Sequence, residues 1–510
     1  MLHPVKSLMN LLSIALFAIT SASYATDAPQ EEGYPRRYFG TETELTAYLK
    51  NPSPQTEVSL SFQLSAEGCQ NLLQSIPNLT RLSYDCDTVH STDFISSLGQ
   101  LKHLTHLNLS FSRFTKEHLN ALADQIPGLT ALESLNLHGC QIGLKETVFK
   151  ALPHLSRLRT LNLHSNSIYI NTIGDCCLFW GSLGKLLQLE SLDIGENNIG
   201  FDGASGVCEL FSHLKYFSLD YCSLVYQDRK TLVGLLPHMK NLETLRMSDN
   251  NLEEMGDIVY ASALRTLPKL RDFFITNCSV AGRQLVYCAL PIIPISTNIR
   301  ELNFSGNQLD WESQYGFAET LKHCPGLEKL WLIKCEMRDR DFLRLSEALP
   351  YLTQLADLDI SENHMNAYGA DILARKGLGD CTSLRRLALR NNPIGSRGLE
   401  FLTPVIARLT NLEVLIFSGN DTESYAAIAF AEDALIHLTK LKEFTMEECK
   451  ISYGGIAALL ATFFFGTKDL KASFPHLKEV NLRQSLTQGA ETRRSLDLYK
   501  RRMPHVTWVL

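Results

Sequence analysis

Long apolar runs are all but missing from this chain. After Leu11–Ile19 no stretch approaches the ~18 apolar residues that a membrane-crossing helix needs, so no stable membrane span is expected and the remainder reads as soluble. Basic charge is not in excess either, since the formal net charge is −7. A nucleic-acid binder needs a basic stripe to neutralise phosphates, and this composition argues against one. The signatures of catalysis are absent too: there is no GxxxxGK[ST], no HExxH and no GxSxG. Cys176 and Cys177 are adjacent, yet no second pair stands at zinc-ligand spacing. Neither an enzyme nor a metal centre is therefore expected. No linker or compositional break divides the chain, so the usual length prior of several domains does not apply.

What the sequence has instead is repetition. The stretch Leu327-Glu-Lys-Leu330-Trp-Leu332-Ile-Lys-Cys335-Glu-Met337 has the form LxxLxLxxCxL. Leu330 and Leu332 alternate as in a short strand and point to one face, with Trp331 on the other. The first position of this unit recurs at Leu79, Leu104, Leu132, Leu158, Leu189, Leu214, Leu242 and Leu270. It continues at Ile299, Leu327, Leu355, Leu384, Leu412, Leu441 and Leu477, fifteen copies in all. From Leu242 to Leu441 every step is 28 or 29 residues.

Each strand is followed by a helical pattern. Leu119, Leu122 and Ile126 lie on one helix face, with Thr115 as N-cap and Pro127 as the stop. Phe342, Leu345 and Leu349, before Pro350, repeat the arrangement. Helices are wider than strands, roughly 10 Å against about 4.8 Å, so the stack must curve with strands inside. The fold expected is α/β: a right-handed solenoid, a horseshoe with a parallel concave sheet and convex helices. Its inner sheet would be on the order of 67 Å long.

The ends read differently. Lys6 precedes the apolar run, and Ser23-Tyr-Ala25 offers small residues where a signal peptidase reads. Residues 1–25 are read as a signal peptide, making the protein secreted or periplasmic. Residues 26–78 are an N-terminal tether and cap, with a helix over Glu42–Leu49 and a leading strand near Val58. The array runs over 79–487, and 488–510 form a C-terminal cap ending in a strand at His505–Leu510. Phe463-Phe-Phe465 should pack an extended last helix of the array.

The ninth motif position holds Cys140, Cys222, Cys278, Cys335 and Cys449, or Asn166, Asn197, Asn250, Asn307, Asn363, Asn392 and Asn420. An inward Asn both donates and accepts, so it can satisfy loop backbone groups of the neighbouring coil; Cys is a small buried residue with a weak donor. These twelve form the expected structural ladder. Free thiols sit uneasily with secretion, where cysteines are usually paired. A bacterial protein that is exported and then delivered into a host cell fits both features.

Asn and Cys alternating at Asn250, Cys278, Asn307, Cys335 and Asn363 on 28- and 29-residue steps resemble the ribonuclease-inhibitor-like class of leucine-rich repeats. The resemblance covers roughly residues 79–487. It implies a leucine-rich-repeat scaffold that binds protein through its concave sheet and loops, with no cofactor. The signal sequence joined to such repeats also resembles proteins that intracellular bacteria direct at their hosts, which implies a host protein as partner. The same class includes the activator of the Ran GTPase, and a GTPase-activator-like regulator is the alternative. A chain of that kind would have a shorter array and an acidic tail, whereas this one ends in Arg493-Arg494 and Lys500-Arg501-Arg502.

Motif positions two, three, five, seven and eight face the hollow. Position five is polar at Asn108, Asn136, Asn162, Asp193 and Ser218, then becomes Arg246, Phe274, Trp331 and Ile416. Tyr216, Tyr221, Ile333, Arg386 and Arg390 lie at other inward positions of the same arc. Trp, Tyr and Arg are enriched among interface hot spots. The last four residues of the position-five series and these five form the candidate partner-binding site, with Trp331 near its centre. The plainer account is that isolated exposed hydrophobics are ordinary, and that intervening strands separate Phe274, Trp331 and Ile416. His106, His138 and His164 lie on three successive strands, with His138 and His164 at the same motif position. His106 is out of line, so solvent-facing histidines are expected rather than metal ligands.

Overall fold

Each repeat supplies a strand too short to stand alone, and the next repeat lays its own beside it. The computed structural model describes residues 37–50, 57–62, 64–84, 92–252, 263, 265–279, 298–308, 317–465, 474–483, 501 and 503–509. Among these, eighteen strands form one sheet. Every strand pairs in parallel with its neighbours in sequence, from Arg37–Phe39 at one end to Thr507–Val509 at the other. Fifteen of the strands belong to the fifteen sequence copies. The other three are Glu57–Leu60 and Thr507–Val509, both foreseen, and Arg37–Phe39, which falls in the stretch read as tether.

The register is in line along the whole sheet: Leu302 faces Leu330, and Leu330 faces Leu358. Leu330 and Leu332 are fully buried while Trp331 between them is half-buried on the hollow side. A slip of one residue would turn each leucine to solvent, so burial fixes the pairing.

The convex layer is helical. Thr115 caps the helix Lys116–Gln125, accepting from the His118 N–H at 3.4 Å, and Leu119 and Leu122 enter the core. Pro127 does not end the turn outright. It sits in a 3₁₀ turn, Ile126–Gly128, that continues the chain one more step; Pro350 does the same in Leu349–Tyr351. Proline has no N–H to give, and its fixed φ suits the start of such a turn. The expected helix Glu42–Leu49 is present, with a Thr41–Glu44 capping box. At the far end Phe463 packs on Phe444 and Phe474, and Phe464 stacks on Trp508, with ring centroids 5.0–5.6 Å apart. Most of the C-terminal cap ahead of its closing strand lies outside the described residues, and the signal peptide lies wholly outside them.

The ninth-position residues lie in the loops between the layers. Asn307 donates to Ile275 O (2.6 Å) and Phe304 O (2.9 Å), and its Oδ1 accepts from the Cys278 N–H (2.9 Å). It thereby ties two successive coils. Asn166, Asn197, Asn250, Asn363, Asn392 and Asn420 each donate likewise to loop carbonyls. Cys335 has only its Sγ to offer, 3.4 Å from Phe304 O, and leans on Asn363 Oδ1 to accept its N–H. Burial pushes the thiols of Cys140 and Cys335 up to about 12 and that of Cys449 to about 11. Cys222 and Cys278 are raised too, for the same reason. Buried thiols with so little thiolate are inert at neutral pH. All eleven cysteines among the described residues are free.

Candidate partner-binding surface

In-register strands turn each motif position into a row of side chains across the concave face. Position two is a row of alternating charge. Arg159 lies 2.6 Å from Glu190, which also holds Lys215 at 2.8 Å; Glu413 takes Arg385 at 3.9 Å and Lys442 at 2.5 Å. These charges are spent on one another at the rim where the strands begin.

Position seven, at His138 and His164, joins Phe111 of position eight in a stack of rings. Phe111 lies 4.6 Å from His138, and His138 lies 4.8 Å from His164, centroid to centroid. His164 Nδ1 is 3.2 Å from Asp193 and Nε2 is 3.4 Å from Glu196. Burial opposes a charge on this ring, but the hydrogen bonds and charges of the two carboxylates outweigh it and hold His164 up to about 10. Burial also pushes Asp193 up, and His164 more than offsets it; both carboxyls stay below their ordinary range. His138 is lowered, by burial first and then by the charge on His164. One ring is thus an imidazolium and its neighbour a neutral imidazole. The solvent-facing expectation fails for His164, whose side chain is only 19% exposed. Gly195 makes the room, because a Cβ there would lie 2.6 Å from His164 Nδ1. His106 stays apart, its Nδ1 2.8 Å from Thr105 Oγ1. Among the described residues no group of three or more His, Cys, Asp or Glu could hold a metal ion.

The middle of the arc is a second cluster. Arg246 Nε lies 2.9 Å from Asp220 Oδ2, and the guanidinium covers the Phe274 ring at 4.6 Å. Burial pushes the Asp220 carboxyl up, with the Arg246 charge working against it. Phe274 in turn lies 6.2 Å from Trp331, and Lys329 Nζ is 5.8 Å above the indole. Two corrections follow. Phe274 is 4% exposed and lies beneath Arg246, so it supports the surface rather than projecting from it. Phe274 and Trp331 do touch, although the strand Glu301–Asn303 runs between theirs, because their rings reach across the small Asn303.

The remaining candidates divide in the same way. Arg386 clamps Asp357 and Asp359 of the preceding strand, both at 2.9 Å, and is committed inside the protein. Tyr216 is half-buried, and burial raises its phenol above the ordinary value. Arg390 is 48% exposed and 3.7 Å from Glu447, two strands away. Ile333 and Ile416 are half-buried on the hollow side. Tyr221 is 40% exposed where its strand enters the loop. The arc therefore offers Trp331, Ile333, Ile416, Arg390 and Tyr221 to a partner, braced by Arg246, Phe274 and Arg386.

The expected site left out a run of acidic residues. Asp193, Glu196, Asp220, Asp249, Asp272 and Glu301 lie on five successive strands or the loops that leave them. Arg246 stands against Asp220, the His164 imidazolium against Asp193 and Glu196, and Lys329 against Glu301 at 2.5 Å, so six carboxylates face three cations. The signal was present in motif positions three, five, seven and eight, but it surfaces only when the repeats are laid side by side. No helix among the described residues is long and apolar enough to cross a membrane.

A leucine-rich-repeat family model matches residues 188–208 and 380–402. The chain is 20% identical to a ribonuclease inhibitor of Mus musculus over 74% of its own length and 84% of that protein. With a ribonuclease inhibitor of Sus scrofa the identity is 22%, over 76% of this chain and 86% of the other. Among solved structures, an internalin (inlF) from Listeria monocytogenes matches 82% of this chain and 94% of its own, at 17% identity and a TM-score of 0.48.

Proposed function

We propose that this chain, a ribonuclease-inhibitor-like leucine-rich-repeat protein, is a non-enzymatic scaffold that captures a basic protein across its concave face. The observation that carries the reading is the run of carboxylates from Asp193 to Glu301, lying beside an aromatic and cationic cluster centred on Trp331. A rigid sheet presents these groups already aligned, so little ordering cost is incurred on binding. The carboxylates attract a positive surface, while Trp331 and Ile333 supply apolar area at the centre. Ribonuclease inhibitors are similar over most of this chain, and the name of those relatives fits capture of another protein.

Titration calorimetry of the full chain against a basic ribonuclease, with serum albumin as acidic counter-probe, tests the reading. Binding of the basic protein should weaken as salt is added. Trp331→Ala should weaken it by at least about 2 kcal/mol, and a His138→Ala control should not. Equal binding of both probes, or equal affinity of Trp331→Ala and the parent, would overturn it.

Export is the other half of the proposal, with a host protein as the target of an exported bacterial effector. Its support is Lys6, the run Leu11–Ile19 and the small residues before Thr26. N-terminal sequencing of the protein from an expressing bacterium should begin at Thr26, and a retained Leu11–Ile19 run would refute cleavage.

A further inference from the structure

At the rim where strands pass into loops, three successive repeats shape a shallow open pocket. Its walls are Tyr169 and Tyr221, with Glu196 between them and Ser167, Asn198 and Ser223 around it. Tyr169 is 56% exposed and Tyr221 is 40% exposed, so both rings are open to solvent. Tyr169 is held in place by a parallel bridge to Asn198 in the next coil. Burial, and then the charge of Asp249, raise the Tyr221 phenol above its ordinary value. Glu196 is steadied from the concave side by His164 Nε2 at 3.4 Å.

The charges do not cancel. His164 bears one positive charge and lies between two carboxylates, Asp193 and Glu196, so the group keeps one net negative charge. Asp249 behind Tyr221 adds to the negative field. Arg246, on a neighbouring strand, is already held by Asp220 at 2.9 Å. Aromatic faces beside a carboxylate favour a cation on a flexible stem, through the ring quadrupoles and the charge together.

We propose that Tyr169, Glu196 and Tyr221 form a pocket for one arginine or lysine side chain of the partner protein. This rests on the reading of a basic partner and names where such a partner is gripped. The pocket is continuous with the acidic part of the concave face, since Glu196 belongs to both. A partner seated across the hollow would thus place one basic side chain over the rim, well away from Trp331.

The test uses the full chain and three short peptides, acetyl-Gly-X-Gly-amide with X as arginine, lysine or the neutral isostere citrulline, followed by NMR titration. Arginine and lysine peptides should bind about tenfold more tightly than the citrulline peptide. Tyr169→Ala, Tyr221→Ala and Glu196→Gln should each weaken the arginine peptide about fivefold. Glu362→Gln, at the same motif position six repeats further along the solenoid from Glu196, should leave it unchanged. Tyr169 is exposed enough that its loss leaves the core intact, so a folding defect cannot mimic the result. Failure of any peptide to bind, equal binding of citrulline and arginine, or binding unaltered by both tyrosine variants would overturn the pocket. If the basic protein still binds in a Trp331-dependent manner in that event, the scaffold reading stands and only the pocket falls.

Discussion

At the scale of single residues, Asn and Cys in the ninth position do the same job unequally. Asn307 donates to the carbonyls of Ile275, Phe304 and Ser305 and accepts from the Cys278 N–H, whereas Cys335 has one weak donor. Removing the Asn307 amide would leave buried backbone groups of two coils unpaired. Asn307→Ala should therefore cost about 1–3 kcal/mol, from stranded polar groups rather than lost packing. Cys335→Ser should cost less, because serine keeps the size and adds a better donor, though it is harder to desolvate. Denaturant midpoints of the two variants beside the parent check this, and an unmoved midpoint for Asn307→Ala would mean that the ladder bears no load there.

At the scale of elements, what matters is which side chain a neighbouring strand places alongside. His138 and His164 share a motif position yet differ in charge, because the strand beyond His164 carries Asp193 and Gly195 and its loop carries Glu196. The sign of the pH dependence follows. His164 is raised from 6.5 to about 10, so its charge contributes stability in full below pH 6.5 and loses it as the pH rises through about 10. His138 is lowered from the same 6.5, so it weighs against stability only as the pH falls below that value. Imidazole NMR signals should show His164 unchanged between pH 6 and 8, while His138 titrates on the acid side. Gly195→Ala should push His164 off its seat and return its titration towards 6.5. A His164 signal that titrates in the parent protein near 6.5 would refute the paired arrangement.

At the scale of the whole molecule, the continuous core keeps the thiols from solvent. Nine of the described cysteines are buried, Cys208 is half-covered and Cys177 is exposed. Under native conditions an alkylating reagent followed by peptide mapping should label Cys177 first and Cys208 slowly. Cys140, Cys222, Cys278, Cys335 and Cys449 should react only on unfolding, since their thiols are both buried and almost wholly protonated. Rapid labelling of the ladder cysteines in the native protein would contradict a closed solenoid, and disulfides among them would contradict the free-thiol reading.

The repeat, the strand and helix of each coil, the parallel order of strands and the ladder were all legible along the chain. All of these follow from local periodicity, and each repeat needs only its neighbour to bury its leucines. Even the leading strand near Val58 and the closing strand near Trp508 were legible in alternation alone. The partner surface was legible only as a row of positions. Whether Phe274 projects or supports, whether Arg386 is offered or committed, and which histidine is charged all depend on side chains about 28 residues away in the chain. Coulomb and ring contacts act over a few ångströms in space, and only the stacking of coils brings such distant residues within that range.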